Sequence, residues 1–144
     1  MIEILVVFVV FGAVMMISIR SVGDTLRRDR LTKTAAVLST DLETAFGIAA
    51  QQRRPVRIRI YTDTTQRVVI GSRTDSSVKY RTRSMKPGTD FAVDYMSVSR
   101  DSLDVMPTGL AQDTLSLTIG VFSKGGSQYS KTIRVTRAGL VRIK

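Results

Sequence analysis

The sequence predicts an α+β protein: a long N-terminal α-helix, apolar through its first half, packed on an antiparallel β-sandwich-like domain. Three observations carry that expectation. No proline occurs before Pro55, so nothing forces a helix break in the first 54 residues. Within that stretch the apolar pattern passes from all-round to a stripe with three- and four-residue spacing. After Pro55 the period drops to two, in short runs separated by polar turns.

The first element is the apolar run 4–19, interrupted by Gly12 and Ser18 and preceded by one acid, Glu3. As a helix its 16 residues cover roughly 24 Å, a little short of the ~30 Å hydrocarbon core of a bilayer. Val and Phe fall on every face, and only lipid or a helical assembly covers all faces of a helix. A secretory signal peptide would need a basic start and a small-residue cleavage site. This run starts with an acid and is followed by "RSVGDTLRRDR". The bases after it (Arg20, Arg27, Arg28, Arg30 and Lys33) would, by the positive-inside rule, put that side in the cytoplasm. No second run is long enough to span.

From Arg30 the helix becomes amphipathic. Leu31, Ala35, Leu38, Leu42, Ala45 and Ala49 mark one face, which Phe46 and Ile48 widen. Asp41 and Glu43 fall off it. Gly23 and Gly47 lower helix propensity by about 1 kcal/mol each and mark places of bending. One helix running to about Gln52 would be nearly ~80 Å long. Leu31, Leu38, Leu42 and Ala45 are the expected helix-to-sheet packing residues.

Strands follow. "PVRIRIY" (55–61) alternates apolar and basic residues. "RVVIG" (67–71), "VKYRT" (78–82), "TLSLTIGVF" (114–122), "KTIRVTR" (131–137) and "LVRI" (140–143) read as further strands, and "DFAVDYMSV" (90–98) as a weaker one. Residues 83–89 form the best loop. Residues 124–127 and Ala138-Gly139 read as turns. The expected division is 1–20, a transmembrane or filament-core half of the helix; 21–54, its amphipathic half; and 55–144, a β-rich globular head.

Composition excludes much chemistry. There is no Cys and no His, which removes thiolate nucleophiles, imidazole acid–base catalysis, Ser-His-Asp triads and His- or Cys-ligated zinc. No phosphate-binding glycine loop or nucleophile elbow occurs. The chain therefore reads as a non-enzyme without cofactor or metal. Asp90, Asp94, Asp101 and Asp104 have no EF-hand spacing and read as solvated loop acids. Net charge is +10. Residues 123–144 hold six bases and no acid, whereas residues 87–122 hold five acids against Arg100. Arg57, Arg59, Arg67, Arg134, Arg137, Arg142 and Lys144 lie on or beside strands. Such a pattern suits either a solvated face or contact with a phosphate backbone. Tyr61, Tyr80, Tyr95 and Tyr129 are expected at the core or its edge rather than as base-stacking platforms.

An apolar helix opening "MIEILVV", continuing without proline into an amphipathic half and then a β-domain, resembles type IV pilins and pseudopilins, whose mature chains commonly begin Phe-Thr-Leu-Ile-Glu. The stretch "TAAVLSTDLETAFGIAAQQRRPVRIRI" (34–60) resembles the GspH/FimT group of that family, with Leu38, Leu42, Ala45 and Ala49 in place and Phe46 where an Arg is usual. The end, "TIRVTRAGLVRIK", resembles that group's closing strands, usually written Gly-Arg-Val-Arg. Leu140 replaces the first Arg.

The resemblance implies a pilin-like fold and a structural minor pilin or pseudopilin of a type IV pilus or a type II secretion pseudopilus. It implies partners among other pilin or pseudopilin subunits and the inner membrane. The head would be periplasmic or displayed on an extracytoplasmic filament, because the family's basic leader sets orientation; that leader is expected upstream of Met1. Glu3 would serve subunit assembly by pairing with a neighbour's N-terminal amine. Ile4, Leu5, Val6, Val7, Phe8 and Phe11 would lie in the filament or membrane. The alternative is a DNA-binding minor pilin acting in DNA uptake, with nonspecific contacts from Arg134, Arg137, Arg142 and Lys144.

Overall fold

The computed structural model describes residues 2–86, 88–91, 93–123 and 126–144, with the side chains of 17–21 outside the description. One helix, α1 (Ile2–Gln52), runs through Gly23 and Gly47 without interruption. Its 51 residues measure roughly 77 Å at ~1.5 Å per residue. Arg53 ends it in a left-handed conformation, φ 51°, and Pro55 forbids continuation.

Eight strands follow: β1 (Val56–Tyr61), β2 (Arg67–Ser72), β3 (Lys79–Ser84), β4 (Tyr95–Val98), β5 (Ser102–Val105), β6 (Leu115–Phe122), β7 (Gln128–Val135) and β8 (Val141–Ile143). They form two four-stranded antiparallel sheets, ordered β3-β2-β1-β5 and β4-β6-β7-β8. The chain changes sheets after β3, after β4 and after β5, and the second change takes only the three residues between β4 and β5. The backbone there is spoken for: Ser99 N–H donates to the Ser116 carbonyl, and the Asp101 carbonyl accepts from Ile60 N–H.

The core lies between the helix and both sheets. Leu31, Ala35, Leu38, Leu42, Ala45 and Ala49 are all buried, so the stripe seen in the sequence is the packed face. It meets Val56, Ile58 and Ile60 of β1, Leu103 and Val105 of β5, Leu115, Leu117 and Ile119 of β6, and Ile133 and Val135 of β7. Strict alternation on β1 and β6 puts every second side chain into this layer.

Several sequence expectations need correction. β5 was not expected, because Ser102–Val105 offers only Leu103 and Val105 beside two polar residues; it becomes a strand by pairing with the exposed edge of β1. The weak strand at 90–98 is a strand only from Tyr95, with Ala92 outside the described residues. The loop placed at 83–89 begins later, because Arg83 and Ser84 continue β3 against Val68 and Arg67. β7 starts at Gln128, three residues before the expected strand. The turn expected at 124–127 is described only at Gly126 and Ser127. Most telling, Asp41 does not face solvent: it is 2% exposed.

Candidate assembly helix and basic surfaces

The first half of α1 stands clear of the β-domain. Every large apolar side chain from Ile2 to Met16, including Ile4, Leu5, Val6, Val7, Phe8 and Phe11, is between 56% (Val6) and 81% (Ile2) exposed. Glu3 sits in the helix's first turn and is exposed, where a carboxylate faces the positive end of the macrodipole. Among the described residues no helix is long and apolar enough to cross a membrane. The apolar run of the sequence continues through 17–19, whose side chains lie outside the description.

Three polar side chains clasp the helix to the β-domain where the two meet. Ser123 Oγ donates to Asp24 Oδ2 at 2.8 Å. Arg27 Nη1 donates to the Phe122 carbonyl. Arg28 Nη2 donates to Tyr129 Oη at 2.6 Å, with its guanidinium carbon 3.9 Å from the Tyr129 ring centroid. Spacing of three and four puts Asp24, Arg27 and Arg28 on one face. They anchor both ends of the β6–β7 connection.

Further along, Asp41 receives Arg81 Nη1 at 2.5 Å and Arg83 Nε and Nη2 at 2.9 and 3.1 Å. β3 is an edge strand. Arg81 and Arg83 lie opposite Ile70 and Val68, so they turn inward to the helix. The Asp41 hydrogen bond raises the pKa of Arg83 above its ordinary value.

On the outer face of the first sheet, Arg57 grips Asp104 through Nε and Nη2 at 2.6 and 2.9 Å, and Arg73 adds a contact at 3.2 Å. Arg57's hydrogen bond, then its charge, hold the Asp104 carboxyl below its usual value. Two further tyrosines are structural: Tyr80 Oη donates to Gln52 Oε1 at 2.6 Å, and Tyr95 packs on Phe122 at 5.5 Å.

The outer face of the second sheet is different in charge. Arg134 pairs directly opposite Arg142, and Thr132 exchanges both backbone hydrogen bonds with Lys144. Arg134, Arg142 and Lys144 therefore share one exposed face of the β7–β8 hairpin. Like charges directly opposite each other are unfavourable. The register adds Ser116, Thr118 and Ser97 to this face and contributes no acid. Arg137 does not join them: it lies in the β7–β8 turn, 3.6 Å from Asp113, which Arg100 also holds at 2.7 Å. The four bases expected to act together are thus three plus one. Leu140, in the same turn, is 48% exposed.

Among the described residues no cluster of acids is arranged to hold a metal ion. Of the acids expected in solvated loops, Asp104 instead lies in β5, buried and engaged by Arg57 and Arg73, and Asp94 accepts from the Phe122 N–H at 2.6 Å.

No family model matches the chain, and no curated protein matches it. Solved structures do. The fold is similar to the type IV minor pilin FimU of Pseudomonas aeruginosa in two crystal forms. Both are 17% identical, with TM-scores of 0.63 and 0.60, covering 81% and 79% of this chain and 90% and 92% of theirs. It is also similar to the minor pseudopilin EpsH of the type 2 secretion system of Vibrio cholerae, at 17% identity and TM-score 0.58, covering 80% of this chain and 96% of that one. The long helix on antiparallel sheets is the pilin-like fold.

Proposed function

We propose that this chain is a minor pilin-like structural subunit, anchored in the inner membrane by the first half of α1 and built through it into an extracytoplasmic filament. One observation carries the reading. A continuous helix buries a stripe in its own β-domain along one half and exposes apolar side chains on all sides along the other. Water does not tolerate so large a continuous apolar surface, at about 25 cal/mol per Å². Lipid and neighbouring helices both cover it. The names of the similar structures, a minor pilin and a minor pseudopilin, support a filament as the destination. Glu3 then serves assembly: carried into an apolar bundle, its charge requires an opposite charge, and a neighbouring subunit's N-terminal amine supplies one.

The test is recovery in sheared filaments from cells that assemble them. The parent chain is expected in the filament fraction and Glu3→Ala in the membrane fraction with its head folded. Equal recovery of both would refute the Glu3 role.

A second reading is nonspecific DNA binding. What favours it is the acid-free face of Arg134, Arg142 and Lys144 with hydroxyls beside them. A gel-shift titration at low salt tests it, and no shift at tens of micromolar protein would leave the face to solvent.

A further inference from the structure

A second basic feature lies on the opposite sheet and owes nothing to the filament reading. Between β1, β2 and the turn 72–79, the outer face folds into a niche of about 40 Å³. Arg57, Arg59, Arg67 and Lys79 line it together with Tyr61 and Ser72, and no acid does. Arg57 is committed to Asp104. Among the described residues, no carboxylate comes within ion-pair distance of Arg59, Arg67 or Lys79. The guanidinium of Arg67 stacks 4.5 Å from the Tyr61 ring centroid. Its Nε is buried and has no hydrogen-bond partner.

The wall of the niche is built in advance. Ser77 N–H and Oγ donate to Asp75 Oδ1 at 2.9 and 2.7 Å, and Asp75 N–H donates to Ser72 Oγ at 3.2 Å. Ser72 N–H donates to the Val78 carbonyl at 3.0 Å. That carbonyl comes so close to Gly71 that a β-carbon there would stand 2.7 Å from it. The turn therefore folds tightly over the bulge between Ile70 and Gly71.

We propose that this niche binds one compact tetrahedral oxyanion, a phosphate or sulfate group, neutralised by Arg59, Arg67 and Lys79. Size sets the class. About 10–15 Å³ admits a single water, so this volume takes a group of a few heavy atoms. Charge sets the sign, and the planar Arg forks suit tetrahedral oxygens. A free anion and a lipid headgroup share this chemistry.

The full chain in non-ionic detergent is titrated calorimetrically with inorganic phosphate, against chloride at matched ionic strength. A parallel series uses mixed micelles of phosphatidylglycerol, against phosphatidylcholine. Saturable binding of inorganic phosphate is expected, weakened about tenfold or more by Arg59→Gln or Lys79→Gln. Arg142→Gln, on the other sheet, should leave it unchanged. Saturable binding of phosphatidylglycerol alone, lost in the same two variants, would assign the oxyanion to a lipid headgroup. Circular dichroism confirms that both variants fold. No saturation with either probe, or binding that survives both substitutions, overturns the proposal.

Discussion

The carboxylate of Asp41, in the second half of the helix, accepts two hydrogen bonds from Arg83 on the edge strand β3, at 2.9 and 3.1 Å. With Arg81 as the second donor, it joins the Tyr80–Gln52 hydrogen bond in tying the helix to the outermost strand of the first sheet. Asp41→Ala removes the acceptor and leaves two guanidiniums facing an apolar layer. Breaking a buried pair costs about 3–5 kcal/mol. Arg81 is 43% exposed along its side chain and can turn to water, so a loss of about 2–3 kcal/mol is expected in urea unfolding. Arg81→Ala should cost under ~1 kcal/mol, as partly exposed pairs do.

Asp104 makes stability depend on pH. Its carboxyl lies below the ordinary value in the folded state. The stabilisation is therefore complete above the unfolded carboxyl pKa of about 3.9 and is lost as pH falls through the lowered folded value. Asp104→Asn should destabilise the protein at pH 7 by about 1.5–3 kcal/mol, the worth of hydrogen bonds to a charged group. The variant should also lose less stability than the parent between pH 5 and about 2.5. Urea midpoints across that range measure both effects, and parallel profiles would contradict the assignment.

Two glycines should respond with opposite signs. A β-carbon at Gly120 would stand 2.2 Å from Cε1 and Cζ of Tyr95, its partner across β4 and β6. Gly120→Ala must push that ring off its contact with Phe122, at about 1–3 kcal/mol. Gly47 is an exposed helical position with open space around it, so Gly47→Ala should stabilise by about 0.4–1 kcal/mol. Thermal or urea unfolding distinguishes the two.

Helix, core stripe and most strands were legible because each is a local periodicity: 3.6 along 31–49, two along 56–61 and 115–121. What escaped was decided by distant partners. Asp41 sits three residues after Leu38 and four before Ala45, at the edge of the stripe, and its charge argued for solvent; the turn of Arg81 and Arg83 toward the helix lets that edge be interior. β5 owes its existence to the edge of β1. Arg137 looks like a member of the basic cluster until Asp113 arrives from the segment before β6. In the niche, Arg57, Arg59 and Tyr61 share one face of β1 at a spacing of two, whereas the pairing of β2 and the turn over Gly71 that bring Arg67 and Lys79 beside them had no linear signal. The clasp at Asp24, Arg27 and Arg28 had a faint signal, polar residues at helical spacing where the apolar run ends.

That regrouping of the basic residues changes the DNA expectation. With Arg137 engaged by Asp113, three bases remain on one face, so log K should fall with log salt at a slope near ~−2.7, from ~−0.9 per contact. Arg142→Gln with Lys144→Gln should reduce that slope by about two contacts, equally for all sequences. A salt series of gel shifts or anisotropy titrations measures it. A slope unchanged by the double substitution would place any binding elsewhere.

The most direct measurement asks what surrounds the first half of α1. The chain has no cysteine, so a single Phe8→Cys carries one environment-sensitive dye, with Leu140→Cys as the control on the β-domain. Both full-length chains are reconstituted into vesicles whose acyl chains bear bromine. A lipid-covered first half of α1 gives blue-shifted, bromine-quenched emission from position 8 and water-like, unquenched emission from position 140. Equal, water-like emission from both positions would contradict it.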